Sequence, residues 1–574
     1  MLMGLLRRLR KKLRRTLARP DHDGEVYALA AASRRVRARR AVVVLVATPD
    51  SDVDRWLTRF AKQKVHVAWF RSAPAGRAAR VSETTFDDFA GLREFLRRLP
   101  AVDCFIDVRV TRRRSQVQLW KKAFYFVRSG GLYVISTASA GRAKTMSSES
   151  GELSAWADAA EAGLSEKESA ELSRSIGAWT ARSDLAWFRP RRIHWVTATE
   201  RDASEILPAR FEKTTHDVLL TLPGEAFASP TVVDHHDPAH MPGRLETTLD
   251  VPPLTLRHYQ GDIAFHGHMA FSAEATVLPS SFRYPWGDTP HFVLPHQPYS
   301  NDDHTIYRLR DARRAPLLPE VPYVDLTHPF HGHFGHIMAQ TVARLWALEE
   351  IAARFPDAHY LLPEPTASVG RDRRPYEMLF AGGVPRDRTT WVDRPLRLQN
   401  LIVPALGLQY SPTLFVHPAV TETWAKMREA LVTHDARSPG KIFVSRRYGK
   451  NKRGCRNVAE VERVFDDHGF DIVYPEEHSL EGQATLFGNA RVIAGFGGSG
   501  MYNSIFADRL DAMIVLNSHS YSGRTEHLIA LRKADRLDYF WNPPLPGEKA
   551  DYKTPWEFDF PRNGDALRRV LSSL

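Results

Sequence analysis

The sequence KIFVSRRYGKNKRGCRNVAEVE (441–462) opens the most regular part of this chain. Residues 441–445 predict a buried strand, and the apolar spacing after the basic loop predicts a helix near 458–468. The alternation continues downstream, with strands predicted at 471–475, 492–496 and 513–517 and helices at 480–489 and 501–507. Strands that alternate with helices are typical of a sheet covered by helices, so an α/β fold is predicted here.

The loop after the first of these strands is strongly basic. It contains Arg446, Arg447, Lys450, Lys452 and Arg453. The carboxyl ends of strands are where α/β proteins bind ligands, and arginine offers a rigid fork of donors that matches phosphate oxygens. The loop therefore indicates a phosphate site. A solvated basic loop without a ligand remains the alternative.

A second segment, VIAGFGGSGMYNSIFA (492–507), places a glycine-rich turn between a strand and a helix. Glycine lets backbone amides approach an anion, and the start of a helix favours negative charge. The turn is neither a P-loop nor a full dinucleotide fingerprint, because no Gly-Lys-Ser/Thr follows it. Glycines that only permit a tight turn are the alternative.

A third segment, HPFHGHFGHIMAQTVARLWAL (328–348), crowds four histidines between a predicted strand at 321–326 and a predicted helix at 335–354. Histidine suits proton transfer from a hydroxyl near neutral pH. A zinc site is one alternative, although no carboxylate or cysteine stands at metal-ligand spacing. Capping or packing roles are another. The four histidines are His328, His331, His333 and His336.

In this order, the three segments resemble glycosyltransferase family 61 over about residues 205–545. Two residues depart from the family signature, since Phe496 stands where the family has histidine and Ser499 where it has alanine. The missing histidine removes an expected contact with the donor. By position, the resemblance implies that the donor nucleotide and its diphosphate are bound by Arg446, Arg447, Arg453, Asn457, Glu460, Gln483, Gly497, Gly498, Ser499, Gly500 and Asn503.

The family implies a GT-B-like pair of Rossmann-type domains and inversion at the anomeric carbon. Inversion needs one base on the acceptor side and cationic or N–H donors on the departing diphosphate. His336 is the expected base, with His333 behind it, and Asp325 would orient an imidazole or act as the base itself. No DxD-type metal motif is apparent at a plausible strand end, so we expect no essential metal and no cofactor beyond a nucleotide-sugar co-substrate, expected to be UDP-linked.

The N-terminal part also alternates, with strands predicted at 41–47, 65–70, 104–108 and 132–137 and helices near 52–63, 86–98 and 114–128. The passage around VDCFIDVRV (102–110) is similar to the late part of a Rossmann-type methyltransferase. However, the first strand runs into ATPDSD (47–52), which contains no glycine-rich cofactor turn. A fold relic, an interaction domain and an active methyltransferase all remain open.

Short β-type runs separated by turns predict β-rich structure between residues 184 and 300. The chain as a whole is predicted to have five parts. They are a basic amphipathic segment (1–40), a small extra Rossmann-like, methyltransferase-like domain (41–145), a helical connector (146–204), an N-terminal, acceptor-side half (205–435) and a C-terminal nucleotide-sugar-binding half (436–574).

The net charge of +12 is concentrated at one end of the 574-residue chain. Residues 1–40 hold thirteen Lys or Arg and three acidic residues, so the remaining chain carries only +2. No nucleic-acid partner is therefore expected. Leucines at helical spacing in 1–19 predict a helix that contacts an anionic membrane surface, with a solvated arm as the alternative.

The two cysteines form neither a disulfide framework nor a zinc site, which favours a reducing compartment. No apolar run is long enough to span a membrane, and the start lacks a secretory signal. We expect a cytoplasmic protein, peripheral at the inner face of the cell membrane, that acts in capsular or cell-envelope polysaccharide synthesis. Its acceptor would be a glycan or lipid-linked glycan. The alternative functions are a non-catalytic sugar-nucleotide-binding scaffold and a methyltransferase.

Overall fold

The structure, a computed structural model, describes most of the chain between residues 36 and 574. The basic segment 1–35, His331 and the loop residues Lys450, Lys452 and Arg453 lie outside the described residues. The described residues are 36, 38–73, 81–136, 146–147, 166–181, 185–236, 245–287, 306–307, 314–330, 333–364, 374–411, 413–433, 438–447, 454–521, 523–543, 545, 547 and 554–574.

The first part of the chain forms one sheet, and the four strands predicted between residues 41 and 137 are confirmed. Its strands lie in the order β3-β2-β1-β4-β5-β8-β7-β6, parallel from β3 to β5 and antiparallel beyond. The strands are β1 (Val42–Ala47), β2 (Lys64–Phe70), β3 (Ser82–Phe86), β4 (Val102–Asp107), β5 (Val127–Ser136), β6 (Met146–Ser147), β7 (Ile176–Ala181) and β8 (Leu185–Pro190).

Helices cover this N-terminal sheet, and every residue of the apolar strand β1 is buried. A buried ion pair lies at the carboxyl end of β4. Arg109 pairs with the buried carboxylate of Asp107 at 2.8 Å, and its guanidinium lies over the rings of Phe70 and Phe89. The helices are α1 (Val53–Arg59), α2 (Phe89–Arg97), α3 (Arg113–Ala123) and α4 (Glu166–Ser175), with a 3₁₀ turn at Phe124–Phe126.

Two buried arginines join this unit to the next part of the chain. Arg97, at the end of α2, forms ion pairs with Glu94 and Asp202 and donates to the carbonyl of Thr197. Arg210 donates to the carbonyl of Leu99 at 2.8 Å. Since unpaired buried charges are costly, these bonds tie the two parts firmly together.

The middle of the chain forms a mixed sheet in the order β17-β9-β16-β15-β14-β21-β18-β19-β20, with β10 also paired to β14. Its strands β21, β18, β19 and β20 are parallel. The strands of this region are β9 (Trp195–Thr197), β10 (Thr215–Leu222), β11 (Glu225–Ala228), β12 (Val232–His236), β13 (Thr248–Val251), β14 (Leu254–His266), β15 (Met269–Ser272), β16 (Thr276–Val277), β17 (Ile306–Tyr307), β18 (Tyr323–Asp325), β19 (His359–Pro363), β20 (Thr389–Val392), β21 (Leu396–Pro404), β22 (Leu408–Gln409) and β23 (Phe415–Val416).

The C-terminal sheet is parallel throughout, in the order β12-β28-β27-β26-β24-β25. Its edge strand β12 comes from well upstream of residue 436, so this sheet includes chain from both sides of the domain boundary predicted there. The remaining strands are β24 (Lys441–Val444), β25 (Asp471–Val473), β26 (Val492–Phe496), β27 (Ala512–Ser518) and β28 (Arg536–Asn542).

The middle and C-terminal sheets share one hydrophobic core, which includes Val324 and Ile402 from the first and Ile493 and Val515 from the second. None of the helices in the described part of the chain has both the length and the apolar character needed to span a bilayer. The helices here are α5 (Ala203–Arg210), α6 (Phe334–His336), α7 (Leu348–Arg354), α8 (Arg374–Ala381), α9 (Pro418–Leu431), α10 (Val458–Asp466), α11 (Leu480–Asn489), α12 (Thr525–Lys533) and α13 (Phe560–Ser572).

Two predicted helices are less regular than expected. The helix predicted at 335–354 begins as α6, continues through a π-helical turn at Ile337–Thr341 and a 3₁₀ segment at Val342–Ala347, and ends as α7. The helix predicted at 501–507 is the 3₁₀ helix Ser499–Phe506. Both irregular stretches contain or directly follow residues predicted to carry chemistry, where such turns often occur. Shorter 3₁₀ turns lie at Pro279–Ser281, Arg386–Arg388 and Pro475–Glu477.

Candidate functional site

A cavity of about 470 Å³ opens where β24, β26 and β27 end. It lies at the carboxyl edge of the parallel C-terminal sheet, as expected for a ligand site in this kind of fold. Many of its lining residues come from the three segments singled out in the sequence. They include His333, Ser445, Arg446, Arg447, Gln483, Phe496, Gly497, Ser499, Gly500 and Asn503, together with Cys455, Val458, Asn517, Ser518, Tyr521, Thr554 and Trp556.

Arg446 lies against the glycine turn. Its Nη2 donates a 2.7 Å hydrogen bond to the carbonyl of Gly497, and a Cβ atom at Gly498 would overlap that nitrogen. Gly498 also has φ +132°, a backbone conformation that other residues rarely adopt. The positive φ therefore favours glycine at 498, and a side chain at this position would also displace the Arg446 guanidinium.

The amide of Gly498 is already bonded to an anionic side chain. It donates to Oε1 of Glu526, a buried residue of α12. Gly498 was predicted to bind a diphosphate, but its N–H faces this carboxylate rather than the cavity. The neighbouring residues Gly497, Ser499 and Gly500 do line the cavity.

Arg447 also lines the cavity but is held differently. Its guanidinium stacks over the ring of Tyr474 at 3.6 Å from the centroid and pairs with Glu477 at 2.7 Å. The hydrogen bond to Glu477 raises the pKa of the guanidinium. The Arg447 side chain is 61% exposed, so this pair is screened by solvent and can exchange partners readily.

Two amide side chains support the floor of the cavity. Nε2 of Gln483 donates to the carbonyl of His478, and its Oε1 accepts from Nδ2 of Asn503 at 3.0 Å. The same Nδ2 also donates to the carbonyl of Gly500 at 3.3 Å. Gln483 and Asn503 therefore hold the start of the 3₁₀ helix in place beneath the glycine turn.

Asn457 and Glu460 lie outside the cavity wall, contrary to the expectation that they contact the donor. Oδ1 of Asn457 accepts from the amide of Phe558, its Nδ2 donates to the carbonyl of the same residue, and Glu460 bonds to that Nδ2. Asn457 therefore fastens the segment 554–560 beside the cavity, and this segment supplies Trp556 to the wall. In the described part of the chain, the two residues hold that segment rather than line the cavity.

Phe496, which replaces the signature histidine, is part of an apolar wall. It is 4% exposed and packs edge-to-face against Phe443 at 5.2 Å and Trp556 at 5.9 Å. Cys455 lies in the same wall, where burial raises the pKa of its thiol to about 12, so the thiol stays neutral. The cavity lining is thus apolar at Phe496, Cys455 and Trp556, and polar at Arg446, Ser499 and Gly500.

The sequence prediction missed three lining residues at the end of β27 or just after it. Asn517, Ser518 and Tyr521 stand at the same carboxyl edge as the basic loop. The Asn517 amide occupies the space where a Cβ at Gly497 would lie, and it donates to Tyr539 at 3.1 Å. The polar run NSHSYS (517–522) after a predicted strand was a usable signal by the strand-end rule.

The histidine segment reaches this cavity through a close helix contact. A Cβ at Gly335 would lie 2.7 Å from Cβ of Ser499 and 2.9 Å from the ring of Tyr502. Only glycine permits this approach, which brings α6 against the glycine turn. His333, the residue before α6, then lines the cavity.

The other two described histidines of this segment, His328 and His336, are not among the residues that line the cavity. His336 stacks on Phe330 at 4.4 Å, and its ring centroid lies 4.9 Å from that of His333. His328 is buried and accepts from the amide of Phe330, which shapes the turn. In the described part of the chain, no group of three or more His, Cys, Asp or Glu side chains is arranged to hold a metal ion.

The expected role of Asp325 is not supported by its surroundings. It is fully buried and accepts hydrogen bonds from the amide and hydroxyl of Thr327, at 3.0 and 2.7 Å. A nitrogen of Arg344 lies 3.8 Å from its carboxylate. Asp325 therefore stabilises the turn after β18 rather than lining the cavity beside His333.

Comparison with known proteins supports the interpretation of the three segments. Residues 334–514 match the family model described as Glycosyltransferase 61. The matched segment runs from α6 to β27 and includes Arg446 and the glycine turn. The resemblance drawn from the sequence is thereby confirmed over this segment, while residues 205–333 and 515–545 lie outside it.

Comparison with solved structures gives only a distant likeness. The chain is similar to crystal structures of the MycE methyltransferase from the mycinamycin biosynthetic pathway, at 16% identity and TM-scores of 0.22 and 0.21. One structure is in complex with Mg and SAH, and the other also contains mycinamycin VI. The likeness covers 29% of this chain and about half (49%) of that enzyme. No curated protein matches the chain.

Proposed function

We propose that this chain, a glycosyltransferase of family 61 over residues 334–514, transfers a sugar from a nucleotide-diphosphate donor to a glycan hydroxyl with inversion. The observation that carries the proposal is the cavity at the ends of β24, β26 and β27. It is lined both by Arg446 and the glycine turn and by the apolar side chains of Phe496 and Trp556. Such a mixed lining suits a ligand with one anionic and one flat, apolar part.

The donor diphosphate would lie beside Arg446 and the glycine turn. Arg446 is held in place by Gly497, and the amides of Ser499 and Gly500 start a helix and so have no partner within it. Arg447 would turn from Glu477 toward the phosphates when the donor binds. The nucleobase, expected to be uracil, would pack on the wall formed by Phe496 and Trp556.

Transfer would be a single in-line displacement. The acceptor oxygen attacks the anomeric carbon, and the bond to the diphosphate breaks with its electron pair remaining on the leaving group. Arg446 and the turn amides stabilise the charge that develops there, which is the largest task in such a reaction. A histidine of the segment before α6 takes the hydroxyl proton, and the reaction needs no metal or cofactor in this proposal.

The same proposal covers the wider setting of the protein. The parallel part of the middle sheet and the C-terminal sheet would act as the two halves of a GT-B-like enzyme, with the acceptor glycan between them. The basic segment 1–19 would contact anionic lipid at the inner face of a cell membrane during capsular or cell-envelope polysaccharide synthesis. Binding of the full chain to anionic vesicles, compared with a variant lacking residues 2–19, tests this contact.

A thermal melt with nucleoside diphosphates tests the proposed function directly. At one hundred times the dissociation constant, UDP or another nucleoside diphosphate should stabilise the protein by about 2.7 kcal/mol. Arg446→Ala should abolish most of this stabilisation. If UDP, GDP, CDP, ADP and dTDP all leave the melting temperature of the wild-type protein unchanged, the proposal is wrong.

A non-catalytic sugar-nucleotide-binding scaffold is the second candidate. Two observations favour it: the histidine position is filled by Phe496, and the Gly498 amide is bonded to Glu526. Slow release of free sugar from a nucleotide sugar would exclude this candidate, whereas nucleotide binding without any release would favour it.

A further inference from the structure

A group of aromatic and cationic side chains surrounds His336 behind the cavity. Arg283 directs two donors at the phenol oxygen of Tyr410, with Nη2 at 2.8 Å and Nε at 3.3 Å. The guanidinium also lies over the rings of Tyr284 and Phe330, at 4.9 and 4.7 Å from their centroids. On its other side, the Tyr410 hydroxyl is 3.3 Å from Nδ1 of His336.

The donors in this group fix the direction of each hydrogen bond. Arginine has only donors, so the Tyr410 oxygen must accept from Arg283. The two donors of Arg283 use the two acceptor positions of the phenol oxygen. The single O–H of Tyr410 is therefore left to donate to Nδ1 of His336.

This direction determines which nitrogen of His336 carries the proton. A neutral imidazole has one N–H and one acceptor nitrogen, and the acceptor here is Nδ1. The proton of neutral His336 therefore sits on Nε2. In this form His336 is a hydrogen-bond donor at Nε2 and cannot take a proton at that nitrogen.

We propose that Arg283 and Tyr410 are positioning residues that hold His336 as the Nε2–H tautomer, so that His333 is the histidine that takes the acceptor proton. His333 lines the cavity, and its ring lies 4.9 Å from that of His336. In the reaction, the acceptor oxygen bonds to the anomeric carbon, its proton passes to His333, and the nucleoside diphosphate leaves with the electron pair. The chemical step rests on the proposed function, but the tautomer of His336 does not.

The tautomer can be measured without any substrate. Long-range ¹H–¹⁵N spectra of the histidine-labelled full chain distinguish the two neutral forms, and loss of signals in His336→Gln identifies the residue. We expect the Nε2–H form in the wild-type protein and a mixture of both forms in Tyr410→Phe. A His336 ring with hydrogen on Nδ1 in the wild-type protein would overturn the proposal.

Kinetics test the division of roles between the histidines. With a nucleotide sugar that the melt identifies as a ligand, His333→Gln should lower kcat for sugar release about 100-fold or more. Tyr410→Phe should lower kcat on the order of tenfold, through a misplaced ring, with KM for the donor unchanged. Tyr376→Phe is the matched control, because Tyr376 is a buried tyrosine that donates to the carbonyl of Pro363 away from the cavity.

The outcomes separate the two proposals. If no nucleotide stabilises the wild-type protein, the proposed function fails, and the spectra alone decide the tautomer. If a nucleotide binds but His333→Gln releases sugar at the wild-type rate, the role given to His333 is wrong while the proposed function stands. Equal loss of kcat in Tyr410→Phe and Tyr376→Phe would reduce Tyr410 to a general structural role.

Discussion

Arg446 and Arg447 are adjacent in the chain but are held by different partners. Arg446 bonds to the glycine turn, whereas Arg447 stacks on Tyr474 and pairs with Glu477 at the surface. A held guanidinium loses little freedom when it binds a phosphate, while one paired with a carboxylate must first exchange that partner. Arg446 is therefore expected to contribute more to catalysis than Arg447.

Replacing each arginine tests this order. Arg446→Ala should cost about 2–4 kcal/mol of transition-state stabilisation, measured from kcat/KM. Arg447→Ala should cost less, because its loss also frees Glu477 from an exposed ion pair of small value. Unchanged turnover in Arg446→Ala, or a larger loss in Arg447→Ala, would show that the phosphate site has been assigned to the wrong arginine.

The helical segment from Phe334 to Arg354 connects the histidines to the glycine turn. Its first turn touches the 3₁₀ helix Ser499–Phe506 through Gly335, and its hydrogen bonding then shifts to the π and 3₁₀ patterns. Side-chain direction changes when the bonding pattern changes, so the position of His336 relative to the cavity could not be derived from a regular helix.

Gly335→Ala should push α6 away from the 3₁₀ helix Ser499–Phe506. Its Cβ would lie 2.7 Å from Cβ of Ser499, so α6 must move, at a cost of about 1–3 kcal/mol in the free energy of unfolding. Urea unfolding measures this cost, and turnover should fall because His333 moves away from the cavity. The matched control is Gly440→Ala, since nothing lies within 4 Å of a Cβ at that position. Equal stability of the two variants would mean that the contact is loose.

At the scale of the whole molecule, three histidines in different parts of the fold resist protonation. Burial lowers the pKa of His66, His216 and His527 to about 4. They belong to the N-terminal sheet, the middle sheet and α12, respectively. Because the unfolded chain binds these protons near pH 6.5, it is favoured increasingly as the pH falls from 6.5 towards 4. The free energy of unfolding should therefore fall in acid, with a contribution from each of these three parts of the molecule.

His527 allows this to be measured at one position. It is fully buried, with Nε2 bonded to the carbonyl of Glu246 at 2.8 Å. The free energy of unfolding of the wild-type protein should fall between pH 6.5 and 4, and His527→Gln should remove roughly 1–3 kcal/mol of that fall. Above pH 6.5 the difference between the two proteins should be constant. If the free energies of unfolding of the two proteins changed in parallel with pH from 4 upwards, this explanation would be wrong.

The sequence determined a good part of this protein by itself. Apolar β-branched runs predicted the strands β1, β24 and β26, because a strand buried on both faces has no polar positions. The order of the basic loop, the glycine turn and the upstream histidines indicated a resemblance to glycosyltransferase family 61, and residues 334–514 match the model of that family. The same rule that located Arg446 at a strand end would also have found Asn517.

Only the tertiary structure decided the contacts that close the site. Local sequence patterns did not predict that β12 pairs with the C-terminal sheet. They also did not predict that Glu526 accepts a hydrogen bond from the Gly498 amide, or that Asn457 is hydrogen-bonded to the backbone of Phe558. The residues of each of these contacts are far apart in the chain, so no local periodicity or spacing records them. The same holds for Arg283 and Tyr410, which lie 127 positions apart and meet beside His336 only when the chain is folded.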